Sequence, residues 1–151
     1  MFVCHGNICR SPMAEFLFLD ILKKRGLRDK FYISSSATSN EEIGNSVYTG
    51  TKKILDSLGI STKGKYAVQL TTSDGEKYDY FIGMDNRNII NIKAILDNSY
   101  HHKINKLLDY TNNPRDISDP WYSGNFELTY RDILEGCEAF LEFVLRENML
   151  Y

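Results

Sequence analysis

Apolar positions along the chain fall into two alternating kinds of run. Short apolar stretches predict strands, and longer segments with apolar residues at spacings of three and four predict helices. Phe2-Val3-Cys4 is a short apolar start and reads as a first strand. Ser11 to Arg25 reads as a helix with Ala14, Leu17, Phe18, Ile21 and Leu22 on one face. Ser11 is expected at its N-cap, Pro12 at its first helical position, and Gly26 at its end. Phe31 to Ser34 predicts a second strand, and Ser46 to Leu58 a helix closed by Gly59. Ala67 to Leu70 predicts a third strand, and Tyr80 to Met84 a fourth with the look of a buried central one. A helix over Asn86 to Leu96, a weak fifth strand over Lys103 to Leu108, a loop with Pro114 and Pro120, and a helix over Phe126 to Asn148 complete the pattern.

Strands alternating with helices imply a parallel sheet covered on both faces. The expectation is one α/β domain spanning residues 1–151, with about four strands in its central parallel sheet. Ligands in such folds sit at the carboxyl ends of the strands. The predicted first strand ends at Cys4, and its loop leads straight into a helix N-terminus.

Composition narrows the classes. Lys+Arg is 18 against Asp+Glu of 20, so nothing supports a nucleic-acid binder, which shows a basic excess. The three cysteines, Cys4, Cys9 and Cys137, form no regular disulfide framework and fit a reducing compartment. There is no signal-peptide pattern ahead of the loop and no apolar stretch long enough to span a bilayer. A soluble cytoplasmic protein is expected.

The loop Cys4-His5-Gly6-Asn7-Ile8-Cys9-Arg10-Ser11 holds the candidate chemistry. The residues between Cys4 and Arg10 can curl so that backbone N–H groups converge on one anion. The following helix adds its positive end, and Arg10 can fork two hydrogen bonds onto phosphate oxygens. A cysteine in that field loses its proton readily, because the same donors stabilise the thiolate. Ser11 is placed to help the sulfur leave, and Gly6 lets the backbone approach closely. A bare Cys-x5-Arg spacing is a weak signal. The bland alternative, a buried cysteine and an exposed helix-start arginine, leaves Gly6, Asn7 and Ser11-Pro12 without a role.

The run Phe2 to Glu15 closely resembles the signature of the low-molecular-weight protein tyrosine phosphatases. The likeness continues at Ser34-Ser35-Ser36-Ala37, Ile43-Gly44, Tyr78-Asp79-Tyr80, Met84-Asp85 and Asp119-Pro120-Trp121-Tyr122. The resemblance implies Cys4 as nucleophile of a phosphocysteine intermediate and Arg10 as the phosphate clamp. It implies Asp119 as the acid that protonates the leaving phenolate and then activates water. Asn7, Ser11 and Ser35 match loop-supporting positions, and Trp121 and Tyr122 match the aromatic wall beside the phosphotyrosine ring. A cysteine at the place of Cys9 implies a reversible disulfide with the nucleophile, against the plain reading of a small buried thiol. The implied substrates are phosphotyrosine proteins and the product is inorganic phosphate. No cofactor or metal is implied. Oligomeric state is open, with a monomer expected.

Four departures from the family pattern stand out. Members usually have several more residues before Phe2, so the first strand is expected to be clipped or the start to lie upstream. His5 stands where an apolar residue is common and reads as a rim histidine. Glu41 falls where many members place a pocket-wall aromatic; a carboxylate there weakens ring packing and disfavours acidic substrates. Lys65 falls at a histidine that buttresses the loop, so that support is expected from elsewhere.

The pair His101-His102 lacks the further ligands of a metal site and reads as a solvated loop. Asp85 reads as a helix cap, with a place near the site as the alternative, and Cys137 as core. Three rival functions stand beside this one. Arsenate reduction on this fold needs a cysteine relay for which only Cys137 is available. Arginine phosphatases have Thr where this chain has Ile8, and lack the bulky pair Trp121-Tyr122. An inactive phosphotyrosine-binding module would be expected to have lost Cys4, Arg10 or Asp119.

Overall fold

Three buried residues, Phe2–Cys4, form strand β1 in the interior of the sheet. In the computed structural model, which describes residues 1–148, β1 lies between β2 (Ser35–Ala37) and β3 (Phe81–Gly83), with β4 (Ile104–Lys106) beyond β3. All pairings are parallel, in the order β2-β1-β3-β4. Val3 pairs with Ser36 on one side and Gly83 on the other.

Side-chain alternation sends Phe2 and Cys4 to one face and Val3 to the other. On the Phe2 face lie α1 (Arg10–Lys24) and α5 (Phe126–Asn148), with Phe18, Leu22, Phe140 and Leu141 in the core and Leu55 added from α2 (Thr49–Ser57). Phe2 meets Phe18 edge-on at 5.6 Å. On the Val3 face, Phe81, Ile92 and Ile104 pack together beneath α3 (Asn86–Ile95). Burying each such side chain is worth about 1.5–3 kcal/mol, so both faces are covered for the same reason. The architecture is the single α/β domain the pattern implies.

The predicted edges shift in places. Ser34 lends its carbonyl to Phe2 N–H at 3.0 Å, but the second strand is Ser35–Ala37, not residues 31–34. Phe31 and Ile33 made the earlier segment look like a strand; they pack against the α1–α5 core instead. The predicted third strand, Ala67 to Leu70, touches β2 only at an Ala37–Gln69 bridge. Its ladder stops because Ala67 bonds to the 44–45 turn: its N–H donates to Asn45 O at 2.8 Å and its carbonyl accepts from Gly44 N–H at 2.9 Å. The helix expected from Ser46 starts at Thr49, since Tyr48 N–H donates to Ile8 O at 2.9 Å. The proline loop contains a short helix, α4 (Pro120–Ser123), with Asp119 as its N-cap.

The start of α1 corrects one expectation directly. Its N-cap is Cys9 and its first residue Arg10, so Ser11 is not the cap and Pro12 is not the first position. The Ser11 hydroxyl is turned toward Cys4 instead. Gly26 follows the helix end with φ +69, as its position predicts.

Candidate active site

Parallel pairing brings the carboxyl ends of β1, β2 and β3 to one edge, and Cys4 sits at that edge. Two backbone donors and one hydroxyl gather around its sulfur. Ser11 Oγ lies 3.0 Å away, and the backbone N–H groups of Asn7 and Ser11 point at Sγ from 3.3 and 3.4 Å. The loop is cinched from outside as well: Thr38 N–H donates to Cys4 O, Ser39 N–H to His5 O, and Thr51 Oγ1 to Cys9 O.

Asn7 makes the turn. It is the one non-glycine residue with positive φ among the described residues, at 59°, and it is buried. Asparagine tolerates that region because its short amide can bond locally. Its Nδ2 donates to Ser11 Oγ at 2.7 Å and Ser35 Oγ at 2.9 Å, while Oδ1 accepts from Val68 N–H at 3.1 Å. Gly6 takes no such conformation; a Cβ there would meet Glu42 Cγ at 3.3 Å. The tight approach at Gly6 is therefore to the neighbouring 38–45 loop.

Arg10 is 2% exposed. Its Nη1 donates to Asp85 Oδ2 at 2.7 Å and Ile117 O at 2.8 Å, and its Nη2 reaches Asp119 Oδ2 at 3.4 Å. Burial alone lowers its pKa, but the charges of Cys4, Asp85 and Asp119 and the Asp85 hydrogen bond outweigh this and raise it. Asp85 does cap α3, accepting Asn88 N–H at 2.8 Å through Oδ1; the other oxygen orients Arg10. Asp119 is likewise shared, its Oδ1 accepting Trp121 N–H at 3.0 Å.

Above this floor opens a cavity of about 140 Å³. The loop from Cys4 to Arg10 forms its base, with Ile8 on the wall; Glu41, Glu42, Asp119, Trp121 and Tyr122 form the rim. His5 sits on the rim and pairs with Glu41 at 3.1 Å. Trp121 is held edge-on by Tyr48 at 5.0 Å, and Tyr48 stacks on Phe126. Cys9 is buried, and its thiol is pushed up to about 12, first by burial and then by the nearby Cys4 charge. Cys137 is fully buried in the core, and burial raises its thiol.

A family model described as low molecular weight phosphotyrosine protein phosphatase matches residues 1–149. The chain belongs to that family. It is similar to the low molecular weight protein-tyrosine-phosphatase YfkJ of Bacillus subtilis, at 40% identity over 152 residues, covering 99% of this chain and 97% of that protein. The crystal structure of YfkJ superimposes with a TM-score of 0.91 over 97% of this chain and 93% of the other, at 40% identity. It is also similar to the low molecular weight protein-tyrosine-phosphatase PtpA of Staphylococcus aureus, at 35% identity over 150 residues, covering 99% of this chain and 95% of PtpA.

For a low molecular weight protein-tyrosine-phosphatase the site brings together nearly every residue singled out in the sequence. Asp85 meets both of its expected readings, as the cap of α3 and as a residue at the site, though its bond to Arg10 has no local signal. Tyr48, which meets Trp121, and Phe126, on which Tyr48 stacks, belong to no motif that the sequence offers. Lys65 overturns the expectation that support comes from elsewhere: its Nζ donates to Ser35 O at 3.0 Å. His101 lies apart, its Nε2 against the carbonyls of Lys93 and Leu96 at the end of α3. Among the described residues no cluster suits a metal ion, and no helix is long and apolar enough to cross a membrane.

Proposed function

We propose that this phosphatase hydrolyses phosphotyrosine on proteins through a phosphocysteine intermediate, with Cys4 as nucleophile, Arg10 as phosphate clamp and Asp119 as general acid and base. The observation that supports it most is the convergence of two backbone N–H groups and the Ser11 hydroxyl on Cys4 Sγ at the base of a slot whose rim holds Asp119. In the first step the Cys4 thiolate attacks phosphorus, the S–P bond forms and the P–O bond to the phenol breaks. Asp119 gives its proton to the leaving phenolate oxygen. In the second step water attacks phosphorus and passes a proton to Asp119. The S–P bond breaks, and inorganic phosphate leaves with Cys4 again a thiolate. The Ser11 hydroxyl, 3.0 Å from the sulfur, stabilises the negative charge that returns to it.

The aromatic rim of Trp121 and Tyr122 and the apolar wall at Ile8 favour a phenyl phosphate over a short alkyl phosphate or a guanidinium. The reading calls for no metal and places the enzyme in a reducing compartment, the cytoplasm, where its thiols stay free. The deciding test is hydrolysis of an aryl phosphate with EDTA present, wild type against Cys4→Ser. Turnover in the wild type and loss of about 10⁴-fold or more in the variant are expected. Full activity in Cys4→Ser would sink the mechanism.

A further inference from the structure

The segment that carries Asp119 is held by α5 at two places. Thr129, Asp132 and Glu135 follow one another at three-residue spacing and so share one side of that helix. Asp132 and Glu135 both accept from Arg115 Nη2, at 2.8 and 3.0 Å, while Arg115 Nη1 turns back to Asn113 O at 2.7 Å. Thr129 is fully buried, and its Oγ1 donates to Ser118 O at 3.1 Å. That carbonyl belongs to the residue just before Asp119. The preceding carbonyl, Ile117 O, takes its bond from Arg10, and Ile117 N–H donates to Met84 O at 2.9 Å. Two successive carbonyls are therefore fixed, one by Arg10 and one by α5. The Asp119 carboxyl is a quarter exposed and reaches Arg10 only at 3.4 Å, so its place at the rim depends on the backbone behind it.

We propose that Thr129 is a positioning residue for Asp119: from α5 its hydroxyl fixes the Ser118 carbonyl, and Arg115 anchors the same segment further back, so that the acid is set for the leaving-group oxygen. A buried hydroxyl is costly to leave without a partner, which keeps Thr129 Oγ1 on that carbonyl. Without it the peptide group between Ser118 and Asp119 gains freedom to rotate. The carboxyl then moves, while Cys4, Arg10 and Ile117 keep their places. Proton transfer requires hydrogen-bond reach and falls off when the donor is displaced. Attack by sulfur makes no use of Asp119. The defect is therefore selective: it falls on substrates whose leaving oxygen needs a proton, and spares those whose phenolate departs without one.

The proposal rests on Asp119 being the acid, and the experiment separates the two. The ratio kcat/KM is measured for wild type, Thr129→Val, Thr129→Ser and Asp119→Ala on a series of aryl phosphates whose phenols range from weakly to strongly acidic. Thr129→Val keeps the shape of the side chain and removes the hydroxyl. We expect it to lose roughly threefold to thirtyfold on phenyl phosphate, and less than about twofold on the ester of the most acidic phenol. Thr129→Ser restores most of the loss. A merely structural role lowers every substrate by the same factor and leaves the dependence on leaving group as in wild type. That result, unchanged kcat/KM throughout, or a serine variant as slow as the valine one would overturn the role of Thr129. Should Thr129→Val fail to fold, Arg115→Met, at a partly exposed position, loosens the same segment. It is expected to show the same selective loss, at roughly twofold to fivefold on phenyl phosphate; wild-type rates there overturn the proposal. Asp119→Ala is the control: if it slows all the esters equally, the acid reading itself fails, whereas a selective Asp119→Ala beside a non-selective Thr129→Val defeats Thr129 alone.

Discussion

The floor and the rim of the pocket are built on opposite terms. On the floor, Asn7, Arg10 and Ser11 are at most 2% exposed, and each makes two or more hydrogen bonds. On the rim, Trp121 is 53% and Tyr122 84% exposed, and Glu41 has only an exposed pairing with His5. Polar groups withdrawn from water must be bonded, and once bonded they hold one geometry. Exposed groups keep alternatives at little cost. On the proposed function, the chemistry therefore sits on the rigid end of the site, and selection among substrates on the adaptable end. The rim is also not of one kind: Trp121 on α4 leans on Tyr48, which stacks on Phe126, whereas Glu41 and Glu42 belong to a loop tied to the floor by backbone bonds.

Asp119 sits where floor and rim meet, and its removal has the largest effect expected after loss of Cys4 itself. Asp119→Ala is expected to cost about 10²–10⁴-fold in kcat on phenyl phosphates, and much less on substrates with very good leaving groups. Equal losses on both would take Asp119 out of the acid role.

The floor can be broken without touching a reacting atom. Asn7→Ala keeps the strained φ and removes two side-chain donors, so destabilisation of about 1–3 kcal/mol in urea unfolding is expected together with a fall in kcat. Asn7→Gly relieves the backbone but not the missing bonds. It should recover part of the stability and none of the activity; recovery of both would mean the amide does nothing for the sulfur.

The rim answers differently. Glu41→Gln is expected to leave kcat nearly unchanged and to improve KM for peptides with acidic residues beside the phosphotyrosine. An exposed charge is worth up to about 1 kcal/mol, so the gain is at most about fivefold and fades with salt. A drop in kcat comparable to that of Asn7→Ala would erase the distinction between the two ends.

Near neutral pH the last effect is absent, and it appears only as pH rises. A cysteine in the unfolded chain titrates near about 8.5, whereas Cys9 on the floor is pushed up to about 12. The folded state therefore retains a proton that the unfolded state releases. Stability from this group is full below about pH 8.5 and declines as pH rises toward the folded value. Cys137 and Tyr110, both raised by burial, act in the same direction. Melting temperature is expected to fall from about pH 9 upward. A curve that stays level to pH 11 would show that Cys9 is not sealed in.

Much of this was legible in the chain because it is local. The Cys-x5-Arg loop and the α1 face built on Leu17, Phe18 and Leu22 each depend on neighbours a few residues away. The second and third strands were misplaced for the opposite reason. Ser35 and Ser36 are polar strand residues retained by the site, and Ala67 bonds a distant turn. Ser11 looked like a cap because a cap is the commonest local use of serine, yet the nearby sulfur claims its hydroxyl.

By itself the sequence determined the alternation of strands and helices and the Cys-x5-Arg loop before a helix, since periodicity and spacing are properties of the chain; the proposed acid Asp119 came from the family resemblance. Only the tertiary structure decided that Asp85 would turn to Arg10, that Tyr48 would brace Trp121 and that Lys65 would reach Glu15 and Ser35. Those pairings join residues from separate elements, brought together by parallel strands ending at one edge, and no local pattern marks which buried charge will meet which partner.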